Sequence, residues 1–161
     1  TDYLREVPLN PDGSVTVDKY LSVAEGLYAA GDIARFPDWR TGELIRLEHW
    51  QVAELHGFTA ALNMSGQTTE FLGVPFFWTE QFEPYLYYVG HVTAWDEIIW
   101  HGTAADRKFV AFYVKNERVL AVAGCEHDYG MAYIAELMRT GSLPTPAELR
   151  AGKTDLFEHL R

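Results

Sequence analysis

Cysteine is almost absent: Cys125 stands alone in 161 residues, so no disulfide can close within the chain. That usage suits a reducing compartment, with the cytoplasm as the expected setting. Basic residues are scarce too. Thirteen Lys and Arg face 23 Asp and Glu, a formal charge of −10, and without clustered cations to neutralise phosphates no nucleic-acid partner is expected. No apolar run approaches the roughly 20 residues that cross a bilayer, and no charged start followed by an apolar stretch marks a signal peptide. No membrane partner is expected, although the start at Thr1 suggests that sequence precedes it. No two of the 13 glycines lie two positions apart, so the Gly-x-Gly-x-x-Gly phosphate cradle of a dinucleotide-binding unit is missing. His56, His91, His101, His127 and His159 show neither the i, i+4 nor the Cys-x-x-His spacing of metal sites, and no metal is expected.

What is present is an ordinary globular composition, 48% hydrophobic and 22% charged, in a chain long enough to bury a substantial core. Asn10-Pro11-Asp12-Gly13 is a turn signal before the alternating Val15-Thr16-Val17. Leu27 to Ala30, bounded by Gly26 and Gly31, reads as a short buried parallel strand. The following loop, Phe36 to Glu43, is expected to face solvent. From His49 onward, Trp50, Val52, Ala53, Leu55, Phe58, Ala61 and Leu62 recur at helical spacing until Ser65-Gly66, a helix of about four turns.

Beyond a polar, turn-rich stretch the texture changes to short segments rich in aromatic and β-branched residues. Phe76 to Phe82, Leu86 to Val89, Glu97 to Trp100, Phe109 to Val114 and Val119 to Ala123 read as an antiparallel sheet. Lys115-Asn116-Glu117 reads as the hairpin joining the last pair. Met131, Ile134, Leu137 and Met138 restore helical spacing, and Pro144-Thr145-Pro146 leads into a second helix near Glu148. The class expected is α+β: an antiparallel-sheet domain with helices over 75–161, a linker over 67–74, and over 1–66 the last strands and helix of an α/β domain.

Four places are candidates for chemistry. Asp32, at the end of an apolar run, presents a carboxylate where ligands of open α/β sheets bind, and Gly31 lets backbone approach such a ligand closely. An Asp capping the next helix fits those residues equally well. A helix starting near His49 aims unsatisfied N–H groups and its positive dipole end outward, which favours negative charge. Trp50 is alternatively the first core residue of that helix. Trp78 shares a strand face with Phe76 and is either core or a ligand wall. Cys125-Glu126-His127 has the residue types of a nucleophile and base, but a structural thiol is the better reading. No catalytic residue is assigned.

One resemblance joins these pieces. Val15-Thr16-Val17-Asp18, then Gly26-Leu27-Tyr28-Ala29-Ala30-Gly31-Asp32-Ile33-Ala34, then Arg46-Leu47-Glu48-His49-Trp50, then Pro75-Phe76-Phe77-Trp78-Thr79-Glu80-Gln81-Phe82 resemble, in order, segments of the FAD-dependent ferredoxin and rubredoxin reductases and the apoptosis-inducing factor-like oxidoreductases. The resemblance implies the closing strands of an FAD domain followed by a reductase C-terminal domain. It implies FAD and NAD(P)H as cofactors of an intact protein that passes electrons to an iron–sulfur, ferredoxin-like partner or to a quinone or other one-electron acceptor. It places Gly31 and Asp32 at the ribityl chain, His49 or Trp50 at the pyrimidine end of the flavin, and Trp78 on its nicotinamide side. The His-Pro pair of flavin disulfide reductases is absent, which disfavours dithiol chemistry. Without a glycine-rich cradle the chain alone is expected to hold FAD weakly, and its acidity makes it a poor surface for an acidic ferredoxin. The competing class is a non-catalytic homodimerisation or docking module carrying a remnant flavin motif.

Overall fold

Asp12 organises the first turn, its carboxylate accepting hydrogen bonds from the Ser14 N–H at 3.1 Å and the Ser14 hydroxyl at 2.6 Å. The chain then enters β1, Val15–Thr16, in a computed structural model that describes residues 4–80, 83–126 and 128–152. Contacts divide the chain into two units, Thr1–Gly73 and Val74–Arg161.

In the first unit β1 pairs in parallel with β4, Ala34–Pro37, which pairs antiparallel with β5, Leu44–Ile45. The alternation is visible in β4, where Ala34 and Phe36 are buried. The run at Leu27 corrects the sequence reading. It is no buried parallel strand but β3, Leu27–Tyr28, the second arm of a small antiparallel hairpin with β2, Ser22–Ala24. Leu27 is 39% exposed. Gly26 and Gly31, both at positive φ, reverse the chain at either end of a run too short to cross a sheet. Asp32 therefore precedes the parallel strand β4 instead of closing one.

The helix over residues 50–64 is present as α1, Trp50–Met64, with His49 and Ser65 as caps. Its buried face is Val52, His56, Thr59 and Ala60, whereas Trp50, Leu55, Phe58 and Met64 are exposed. Val17, Leu21, Phe36, Ile45, Val52 and Phe71 fill the core of this unit. The segment read as a linker brings Phe71 into that core, and Asn63 clamps it by accepting from the Thr69 N–H at 2.7 Å and donating to the Thr69 carbonyl at 2.8 Å.

The loop expected in solvent also differs. Asp38 is 3% exposed and forms a bidentate pair with Arg40, Nη2 to Oδ2 at 2.6 Å and Nε to Oδ1 at 3.0 Å. Local charge pairing folds this loop inward, a feature that its polar composition conceals.

The second unit contains the α+β architecture expected. Its five-stranded antiparallel sheet has the order β6-β7-β10-β9-β8, made of Phe76–Glu80, Tyr85–Gly90, Arg118–Cys125, Lys108–Lys115 and Glu97–Thr103 respectively. Gln81 and Phe82, included in the first expected strand, lie outside the described residues. Asn116 and Glu117 both take positive φ, +49° and +53°, the backbone that a two-residue hairpin needs to match strand twist. Helix α2, Asp128–Thr140, brings Met131, Ile134 and Met138 into one core with Val89, Val110, Phe112, Val114 and Val122. Helix α3, Pro146–Arg150, opens on a capping box between Thr145 and Glu148. Among the described residues no helix is long and apolar enough to cross a membrane.

Candidate functional site

Gly31, Asp32 and Ile33 form a 3-10 turn between β3 and β4. Gly31 is at φ +77°, and a Cβ there would stand 3.2 Å from the Ala53 Cβ of α1. Two constraints therefore demand glycine, a left-handed backbone and a helix packed directly on it. The Gly31 N–H donates to Nδ1 of His56 at 3.3 Å.

Asp32 is exposed. Its carbonyl accepts from Nε of Arg46 at 2.8 Å, while among the described residues no hydrogen bond or ion pair engages its carboxylate. Asp32 is close enough to His49 for its charge to oppose the effect of burial, which is the larger influence and pushes the imidazole below its ordinary pKa. The turn and the start of α1 therefore share one neighbourhood.

His49 is the N-cap of α1, but its side chain makes no capping hydrogen bond, and the first turn holds no acidic residue. No side-chain hydrogen bond therefore caps the start of this 15-residue helix, and the carboxylate whose charge reaches it is that of Asp32. Trp50 is 58% exposed, so the alternative that made it a core residue does not hold. In the same first turn, Oε1 of Gln51 is buried with no hydrogen-bond partner among the described residues. An open carboxylate beside a helix start with no side-chain cap suits a polyol-bearing, partly anionic cofactor.

Gly31, Asp32, His49 and Trp50 thus belong to one unit and to two adjoining elements. Trp78 belongs to the other unit. There it sits on β6, 37% exposed, with its ring 6.1 Å from that of Phe76, on the shared strand face that alternation implies.

Cys125 is buried, and burial first, then the charge of Glu126, pushes its thiol up. This is the profile of a structural thiol. His127, its suggested partner, and His159 lie outside the described residues.

Sequence reasoning missed two participants: Arg46 on the Asp32 carbonyl, and His56. A histidine amid the apolar spacing of a helix was the available signal for the last.

Comparison with known proteins adds an independent line. Residues 76–160 match the family model described as reductase C-terminal. Apoptosis-inducing factor 3 of mouse and of human is 37% identical over 145 residues, covering 88% of this chain and 24% of the relative. The ferredoxin–NAD(+) reductase component of the anthranilate 1,2-dioxygenase system of Burkholderia cepacia is 27% identical over 143 residues, covering 88% of this chain and 35% of the relative. The chain thus spans between a quarter and about a third of these curated relatives. Among solved structures, the covalent putidaredoxin reductase–putidaredoxin complex superposes with a TM-score of 0.81 and 27% identity, over 94% of this chain and 37% of that one.

Proposed function

The chain belongs to the reductase C-terminal family, and from that membership we propose that it is the C-terminal part of a longer flavoprotein that passes electrons from NAD(P)H through FAD to an iron–sulfur protein. The observation that carries the reading is the exposed, unengaged Asp32 carboxylate beside the uncapped start of α1. FAD, when bound, supplies the chemistry: it accepts a hydride from NAD(P)H and releases electrons singly to the acceptor.

The residues of this chain position and tune. The Asp32 carboxylate would accept hydrogen bonds from sugar-alcohol hydroxyls of the cofactor. Amides of the first turn of α1, at Trp50 and Gln51, would face the negative charge of the reduced cofactor, beside a His49 imidazole that burial pushes below its ordinary pKa. Trp78 is assigned to the nicotinamide side on the strength of the resemblance. Gly31 gives the turn its shape. The iron–sulfur acceptor is supported by the putidaredoxin partner named for a structural relative, and the lone reduced thiol suits the cytoplasm.

The test is Asp32→Ala in the full-length flavoprotein, with FAD affinity followed by flavin fluorescence. Charge-assisted hydrogen bonds are each worth roughly 1.5–3 kcal/mol, so loss of the carboxylate should weaken FAD by about tenfold to a hundredfold and slow NAD(P)H oxidation at limiting FAD. Unchanged FAD retention with unchanged NAD(P)H oxidation would remove the assignment.

A further inference from the structure

His56 is fully buried on the inner face of α1, three residues after Ala53, so the two side chains share one side of the helix. Ala53 marks where the Gly31 turn touches that helix, and His56 makes the one polar contact between them that the structure defines, accepting the Gly31 N–H on Nδ1. The imidazole is held edge-on by two phenyl rings, Phe36 at 4.5 Å and 86° and Phe71 at 4.4 Å and 83°. Its other nitrogen, Nε2, is buried with no hydrogen-bond partner among the described residues. A buried unpaired polar atom is costly, and a leucine or phenylalanine in the same aromatic slot would carry no such cost. The nitrogen that is used therefore has to repay the one that is not. Because Nδ1 accepts, the neutral ring carries its proton on Nε2. Burial lowers the pKa to about 4, which keeps Nδ1 an acceptor at neutral pH.

We propose that His56 is a positioning residue of the flavin site: its neutral ring clasps the Gly31–Ile33 turn to α1 through the Gly31 N–H and so sets where the Asp32 carboxylate stands relative to the start of that helix. The proposal rests on the flavin reading of Asp32. A misplacement of about 1 Å is enough to spoil such an arrangement, which is why a residue that touches no cofactor atom matters.

Two measurements test it. In the 15N-histidine-labelled chain, a long-range 1H–15N spectrum at neutral pH should show the His56 proton on Nε2; a proton on Nδ1, or a charged ring, overturns the clasp whatever the fate of the flavin reading. In the full-length flavoprotein, His56→Phe keeps the aromatic slot but removes the acceptor, and should weaken FAD about tenfold. His56→Asn, which returns an acceptor near the Nδ1 position, should recover most of that loss. Equal FAD affinity in the two variants, with equally lowered melting temperatures, would mean a role in packing alone and overturn the proposal. If Nε2 carries the proton while Asp32→Ala binds FAD as tightly as wild type, the flavin reading fails and takes the proposed role with it. If Nδ1 carries it while Asp32→Ala binds weakly, His56 alone is misassigned.

Discussion

Gly31→Val should strip FAD from the full-length protein while leaving the reductase C-terminal unit folded. Valine at φ +77° enters a region that β-branched residues avoid, at a cost of about 1–2 kcal/mol for the left-handed backbone alone. Its Cβ also meets the Ala53 Cβ at 3.2 Å, so the turn is driven off the helix that seats it. The two contributions are separable. Adding Ala53→Gly relieves the contact but not the backbone strain, and should restore the smaller share of FAD affinity. Fluorescence titration with FAD reads the loss, and circular dichroism of the sheet reads the integrity of the second unit. Wild-type affinity in Gly31→Val would show that the turn can take another shape without consequence.

Asp38→Ala should be the most destabilising single change in the first unit. Arg40 and Asp38 are nearly inaccessible, with side chains 7% and 2% exposed, and the alanine leaves a guanidinium buried without that carboxylate. Breaking a buried pair from one side typically costs about 3–5 kcal/mol, whereas replacing both partners by apolar residues of similar size is often near neutral. Urea unfolding followed through the first unit should therefore show a large drop for Asp38→Ala and a much smaller one for Asp38→Leu combined with Arg40→Met. Because Asp38 directly follows β4, and β4 leaves the Gly31–Ile33 turn, the same variant should also lower FAD affinity. A single-variant loss below about 1 kcal/mol would mean that the pair behaves like a solvated one.

Some of this was readable from residues alone and some was not, for physical reasons. The second unit was readable because its strands are short runs rich in aromatic and β-branched residues separated by turns, as at Phe76 to Glu80 and Lys108 to Lys115, and because its hairpin announces itself. The extent of α1 was readable from its spacing, but its buried face was not. His56 and Thr59 face inward while Trp50 and Phe58 face outward, an inversion of the rule that apolar side chains mark the core. The Leu27 run was misread because four apolar residues between two glycines fit either a buried strand or one arm of a hairpin, and pairing is decided by partners distant in sequence. The Asp38–Arg40 pair was hidden since two charged residues in a loop look solvated until their geometry is known. At the site, Asp32, His49 and Trp50 were marked by resemblance and by end-of-element logic, whereas His56 was signalled only as a histidine amid the apolar spacing of a helix, which does not record that its ring turns inward onto Gly31.

The most direct test of the central claim is a crystal structure of the FAD-loaded full-length protein, read at one distance. The account requires the Asp32 carboxylate to accept a hydrogen bond from a ribityl hydroxyl at about 2.5–3.0 Å, with the first-turn amides of α1 directed at the pyrimidine edge. A flavin whose sugar-alcohol chain is held by other residues, with Asp32 turned to solvent, would contradict it.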